Sequence, residues 1–168
     1  MAAGSTYTPI ATTTLTSAQT GITFTGISSA YTDLILVLRL ISLGGGALRY
    51  QVGNGSIDTG ANYSATFLTG SGSAASSDRT SNANFVNILR LTGTGTSPAT
   101  HIFQFQNYSN TTTYKTILGR TSQSQYEVGA NVGLWRSTSA INQIYIFESV
   151  SSNMNTGTTA TLYGIAAA

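Results

Sequence analysis

Few side chains in this 168-residue chain could do catalytic chemistry, because it has five carboxylates, one histidine and no cysteine. A glycosidase needs two carboxylates that meet in a cleft. Glu127 and Glu148, which both fall in predicted strands, are the nearest candidates for such a pair. We interpret them as surface or interface charges that pair with arginine, and a carbohydrate-active enzyme stays a third hypothesis.

The single histidine and the short acidic motifs offer little more. A zinc site takes three or four nitrogen, oxygen or sulfur ligands, which one histidine without cysteine does not supply. A Ser–His–Asp triad could use only His101, but the chain has no G-x-S-x-G elbow, so we predict a hydrogen-bonded structural histidine. Asp58-Thr59-Gly60 could contribute to a calcium site, although the usual carboxylate-rich loop is missing. We expect no enzyme activity, catalytic residue, metal or cofactor.

The aromatic residues leave three possibilities open. Trp135, together with Tyr114, Tyr126 and Tyr145, could stack on sugar rings, fill the core or form hot spots in a protein interface. Gly133-Leu134-Trp135-Arg136 is a strand segment flanked by small residues. We therefore expect Trp135 to anchor one end of the core.

The elements that must position these residues are strands, because Thr, Tyr, Phe, Ile and Val suit a pleated, half-buried surface. Residues 21–27 alternate, with Ile22 and Phe24 on one face. Residues 33–43 are almost continuously apolar, which predicts a central strand covered on both faces. Residues 70–82 have no periodicity and predict an exposed loop. Further strands are predicted at 47–52, 62–69, 85–91, 100–108, 113–119, 125–135, 140–148 and 158–165.

This spacing of short strands with Gly, Asn and Ser turns predicts an all-β, single-domain antiparallel β-sandwich, jelly-roll-like in topology. We divide the chain into residues 1–15, an N-terminal arm or first strand and a candidate for pairing with another subunit, and residues 16–168, the sandwich. Residues 1–9 have neither a basic nor an apolar region of a secretory signal, so we expect synthesis in a cytoplasm.

Charge is scarce, since only 7% of residues are charged and Ser and Thr together supply 49 residues. An average globular protein has about 25% charged residues. The seven cations are scattered along the chain, which argues against a nucleic-acid partner despite a pI near 9.0. The longest apolar-rich run, 34–43, contains Arg39 and Ser42 and is too short to cross a membrane. We expect neither nucleic acid nor membrane as a partner.

A surface of hydroxyls and amides suits extensive contact with neighbouring subunits. Six of the seven cations are arginine, the basic residue enriched at interfaces. We therefore treat the following residues as interface candidates: Tyr7, Pro9, Ile10, Arg79, Arg120 and Arg136.

Several segments give the chain a family resemblance. These are Tyr7-Thr8-Pro9-Ile10-Ala11, 27–34 (ISSAYTDL), Gly133-Leu134-Trp135, 140–144 (AINQI) and 158–165 (TTATLYGI). With them the sequence resembles small β-sandwich virion structural proteins of tailed bacteriophages, including cyanophages. The resemblance covers both ends of the chain, while residues 44–125 match only in texture.

The resemblance implies a capsid cement (decoration) protein that binds the outside of the assembled capsid and stabilises it. The implied partners are the major capsid protein and further copies of the chain, which we expect to form a trimer. The implied location is the virion surface, after synthesis in the host bacterial cytoplasm. The alternative is a tail fibre or baseplate component whose β-sandwich binds a glycan or receptor. No catalytic residue is implied.

Overall fold

The fold follows from strands that alternate buried and exposed side chains, as a half-buried pleated sheet requires. The computed structural model describes residues 6–44, 46–88, 97–123, 125–149 and 152–166. Strands make up 59% of the described residues, which include no helix. The thirteen strands among them are β1 (Tyr7–Thr14), β2 (Gly21–Phe24), β3 (Asp33–Leu40), β4 (Leu48–Asn54), β5 (Ser56–Ile57), β6 (Tyr63–Gly70), β7 (Ala75–Ala83), β8 (Val86–Ile88), β9 (Ala99–Phe105), β10 (Lys115–Gln123), β11 (Glu127–Trp135), β12 (Gln143–Glu148) and β13 (Thr159–Ile165).

Two antiparallel sheets pack against each other, so the predicted all-β sandwich is confirmed. The large sheet has eight strands in the order β1-β13-β3-β9-β10-β11-β6-β7. The small sheet has the order β2-β12-β4-β5, and β8 also pairs with β4. Residues 7–14 thus form an edge strand of their own chain's large sheet, where they pair with β13.

The core lies between the sheets and is built from every second residue of the long strands. On β3 the buried set is Leu34, Leu36, Leu38 and Leu40, all with no exposed surface. Phe103 and Phe105 of β9 face Tyr50 of β4, with ring centroids 5.5 and 6.1 Å from the tyrosine ring. On β9 the buried residues include His101, Phe103 and Phe105, which alternate with residues that are exposed or half-buried.

One prediction about the strands is wrong. Residues 70–82 were expected to form a loop, but β7 occupies Ala75–Ala83 and pairs with β6 at the edge of the large sheet. Most of its side chains are exposed, so no apolar period marks it in the sequence. Asn82 has a positive φ of 54° where two residues of β7 oppose one of β6, the geometry of a β-bulge.

The prediction for 33–43 is met on one face only. The even-numbered residues of β3 are buried between the sheets, as described. Ile35 and Val37 point to the other side of the large sheet and remain half-buried. A strand that is apolar on both faces is typical of a sheet covered on both sides. Among the thirteen described strands, none forms a layer over the second side of β3.

Candidate interaction surface

The most distinctive surface is the side of the large sheet that faces away from the small sheet, here called the outer face. Its side chains come from five neighbouring strands, and the strand register aligns them in two rows. The first row is Leu68, Ala130, Arg120, Ile102 and Val37. The second row is Thr66, Val132, Leu118, Gln104 and Ile35.

These two rows line a shallow groove with a volume of about 590 Å³. Its walls are largely aliphatic, and Arg120 is its one charged side chain. Leu68 is 61% exposed, and Val128, one position further along β11 on the same face, is 60% exposed. Contiguous apolar surface of this kind marks an interaction site in a folded protein, whereas isolated exposed apolar residues are common. The groove therefore makes the outer face the leading candidate for binding a partner.

In the described part of the chain, the outer face from β6 to β13 carries three charged side chains: Asp33 and Arg39 towards the two ends of β3, and Arg120 on β10. Arg120 lies near the middle of the face, is exposed, and makes no hydrogen bond or ion pair with the described part of the chain. Asp33 lies on the same face at the beginning of β3. Its Oδ2 accepts a hydrogen bond from Nε2 of Gln104 at 3.1 Å, and its Oδ1 accepts one from the backbone N–H of Asn107 at 2.7 Å. A carboxylate has about four acceptor sites, so Asp33 can accept further bonds.

The six interface residues predicted from the sequence do not come together. Tyr7 and Pro9 lie on the edge strand β1, where the Tyr7 ring meets Tyr163 edge-on at 6.3 Å. Ile10 packs partly against the core. Arg79 is exposed on β7, at the opposite edge of the large sheet. Only Arg120 lies in the groove.

Arg136 is tied into its own chain. Its guanidinium donates hydrogen bonds to the Ser64 hydroxyl, to the carbonyl of Ala61 at 2.7 Å and to Oδ1 of Asn82 at 3.0 Å. Arg136 therefore holds the bulge of β7 against the beginning of β6.

The aliphatic members of the groove were missed as candidates. Leu68 and Leu118 each follow a buried apolar residue, and Val132 lies between Asn131 and Gly133, so each one alone resembles an ordinary strand residue. A signal was present in β11, where Val128, Ala130, Val132 and Leu134 are all apolar although the opposite face carries Trp135. When apolar residues occupy one face of a strand and a core residue lies on the other face, the pattern indicates that both faces are covered.

A second cluster lies on the side of the small sheet that faces solvent, and we call it the aromatic strip. It consists of Tyr145 and Phe147 on β12, Phe85, and Arg49 on β4. The rings of Tyr145 and Phe147 stack in parallel at 4.6 Å, and Phe85 meets Phe147 edge-on at 6.2 Å. The Arg49 guanidinium lies 4.1 Å from the centre of the Phe85 ring, a cation–π contact. All four side chains are partly exposed.

Trp135 is a core residue, as expected, and its ring is buried. Its indole N–H donates to Oδ2 of Asp58 at 2.7 Å, and the same oxygen accepts a bond from Nδ2 of Asn62 at 2.8 Å. The backbone N–H of Gly60 donates to Oδ1 of Asp58. Partial burial raises the pKa of Asp58, but these three hydrogen bonds outweigh it and hold the pKa below its ordinary value. Asp58 therefore joins the loop after β5 to the end of β11.

The catalytic candidates are separated in the structure. Glu148, on β12, was expected to pair with arginine at a surface, and this prediction is wrong because the residue is buried. Its Oε2 accepts a hydrogen bond from the Ser152 hydroxyl at 3.1 Å. Burial raises the pKa of Glu148, and hydrogen bonds from Ser42 and Ser152 only partly oppose that rise. Glu127 begins β11 in the other sheet and is half-exposed.

His101 is buried in the core and stacks on Phe103, with ring centroids 6.2 Å apart. Across the described residues, no group of three or more His, Asp or Glu side chains is placed to hold a metal ion. The same residues contain no helix long and apolar enough to cross a membrane. No family model matches the chain, and no curated protein matches it.

Proposed function

We propose that this chain is a structural subunit of a bacteriophage virion, specifically a jelly-roll-like capsid cement protein that binds the outside of the assembled capsid. The observation that carries the proposal is the outer face, an apolar layer that no other described part of the chain covers. A protein that functions alone in solution normally has small exposed apolar patches and a charged surface. This chain has few charges and an apolar groove, which suits a subunit that is covered by neighbours in a larger particle.

The aromatic strip is the surface we assign to the major capsid protein. Aromatic residues and arginine are enriched among the residues that contribute most to binding at protein interfaces. Arg49, Phe85 and Phe147 form one packed unit, so little side-chain freedom is lost when a partner covers them. Binding to the assembled capsid and not to its separate subunits would stabilise the shell by mass action.

Copy number in purified virions tests this proposal. Quantitative mass spectrometry should find the chain in simple proportion to the major capsid protein, because a cement protein occupies equivalent positions across the shell. Heating should release DNA from particles that lack the chain at a lower temperature than from complete particles. Absence of the chain from the virion would refute the proposal.

The aromatic strip also supports one alternative, a tail fibre or baseplate component that binds a glycan. Exposed aromatic rings can stack on sugars, and Tyr145 is available at the end of the stacked pair. This alternative predicts a low copy number per virion and binding to a glycan array that is lost in Tyr145→Ala. Tyr126→Ala is the matched control, since Tyr126 is exposed and lies away from the strip, in the turn before β11.

A further inference from the structure

The outer face has the size of a standard protein interface. It spans the six strands from β6 to β13. Neighbouring strands are about 4.8 Å apart and each residue advances about 3.3 Å, so six strands of eight residues cover roughly 29 by 26 Å, or about 750 Å². A stable interface buries about 800 Å² on each partner. The face is therefore large enough for one stable contact.

Arg120 limits what can cover this face. Burying an unpaired guanidinium under an uncharged surface costs several kcal/mol, so the covering surface must bring a carboxylate to Arg120. The same surface must be largely apolar to match the groove. A second copy of the outer face meets both conditions, because it is apolar and carries Asp33.

The strand register places Arg120 and Asp33 so that two copies can pair reciprocally. Arg120 aligns with Ile102 and Val37, and Asp33 lies four residues before Val37 on β3. The two charges are thus separated by two strands and four residues, roughly 16 Å within the sheet. The midpoint between them falls on Gln104 of β9. A two-fold axis that lies in the interface plane, passes through that midpoint and is perpendicular to the line joining the two charges places Arg120 of each copy opposite Asp33 of the other.

We infer that two copies of this chain pair through their outer faces about a two-fold axis over Gln104, with Arg120 of each copy bonded to Asp33 of the other. A closed two-fold contact uses the same patch on both copies, and the patch around Gln104 carries Arg120 and Asp33, two charges of opposite sign. A twisted sheet is concave along one diagonal and convex along the other. Two copies that cross at an angle can therefore place the convex diagonal of one sheet against the concave diagonal of the other. The inference deepens the proposed function by naming the neighbour that covers the outer face, and it replaces the trimer expected from the resemblance with a dimer.

Sedimentation equilibrium of the purified chain tests the pairing. The wild type should be a dimer, and Leu68→Asp should weaken dimerisation about tenfold or more, because two buried carboxylates enter each interface. Leu43→Asp is the matched control, since Leu43 is 57% exposed and lies beyond the end of β3. It should dimerise like the wild type. A monomeric or trimeric wild type, or equal behaviour of the two variants, would overturn the inference.

A charge exchange tests the ion pairs themselves. Arg120→Glu alone and Asp33→Lys alone each place like charges opposite each other twice, so both should be largely monomeric. An equimolar mixture of the two should form a heterodimer, because each interface charge then meets its opposite. Circular dichroism first confirms that both variants are folded. Failure of folded variants to associate on mixing would refute the assigned ion pair.

These experiments are independent of the virion. A dimer whose chain is absent from virions would refute the proposed function and leave the pairing intact. A chain that is abundant in virions but monomeric in solution would refute the pairing and leave the proposed function intact.

Discussion

Tyr63→Phe tests how the two sheets are joined. Tyr63 belongs to β6 of the large sheet, and its hydroxyl reaches across the core to β4 of the small sheet. There it accepts a hydrogen bond from the backbone N–H of Val52 at 3.1 Å. The oxygen also lies 2.9 Å from the Val52 carbonyl and 2.8 Å from the Asp58 carbonyl, to which it can donate. Burial raises the pKa of Tyr63, an effect that the Val52 bond reduces and Asp58 increases, so the hydroxyl stays protonated.

Removing this one oxygen leaves the buried N–H of Val52 without its acceptor, whereas the Val52 carbonyl keeps the hydrogen bond from the backbone N–H of Asp58 at 3.0 Å. An unsatisfied buried group costs about 1–3 kcal/mol, so Tyr63→Phe should lower the free energy of unfolding by about that amount. For a chain of this length, 1 kcal/mol corresponds to about 2–4 °C in Tm. We therefore expect Tm to fall by roughly 2–12 °C, with little change in the shape of the core.

Urea unfolding followed by tryptophan fluorescence measures the effect, because the chain has one tryptophan, Trp135, bonded to Asp58 beside the changed site. Tyr126→Phe removes the same atom from a side chain that is 66% exposed and should change stability by less than about 0.5 kcal/mol. If Tyr63→Phe were as stable as Tyr126→Phe, the hydroxyl would not join the sheets energetically and this account of the packing would fail.

Two further predictions concern a close contact and a buried charge. A Cβ on Gly164 would lie 2.3 Å from the Tyr31 ring, so Gly164→Ala should lower the free energy of unfolding, measured by thermal unfolding, by about 1–3 kcal/mol. Gly70→Ala should leave stability unchanged, because the space around Gly70 is open. Burial raises the pKa of Glu148, so its protonated form is favoured in the folded state and stability falls as pH rises through that pKa. Glu148→Gln should therefore raise Tm at pH 8, by about 2–4 °C for each kcal/mol of unfolding free energy that is regained. The difference in Tm should disappear near pH 4. An equal difference at both pH values would show that the buried charge is not its cause.

The sandwich itself was predictable because local patterns determine it. Strands with one buried face alternate in sequence, as β9 does, and their bounds follow within a few residues. The strand β7 was not predictable in this way. It is an edge strand with both faces largely exposed, so its place in the sheet depends on backbone hydrogen bonds to β6, which leave no apolar period.

Contacts between residues far apart along the chain also could not be predicted from the sequence. The bond between Trp135 and Asp58 joins residues 77 positions apart, and no local pattern indicates that the two meet. The burial of Glu148 is similar, because its partner Ser152 is an ordinary residue in a chain rich in serine. In both cases the fold, and not the residue type, decides whether a carboxylate is a surface charge or a structural group.

The outer face was partly visible in the sequence, and β3 shows why. Its run Asp33–Leu40 is apolar on both alternations except at Asp33 and Arg39, which predicts cover on two sides. The small sheet supplies one side only. An apolar alternation that remains uncovered costs about 25 cal/mol for each Å² left in water. Its presence over several adjacent strands therefore supports the proposed pairing of two copies, in which Arg120 of one copy meets Asp33 of the other.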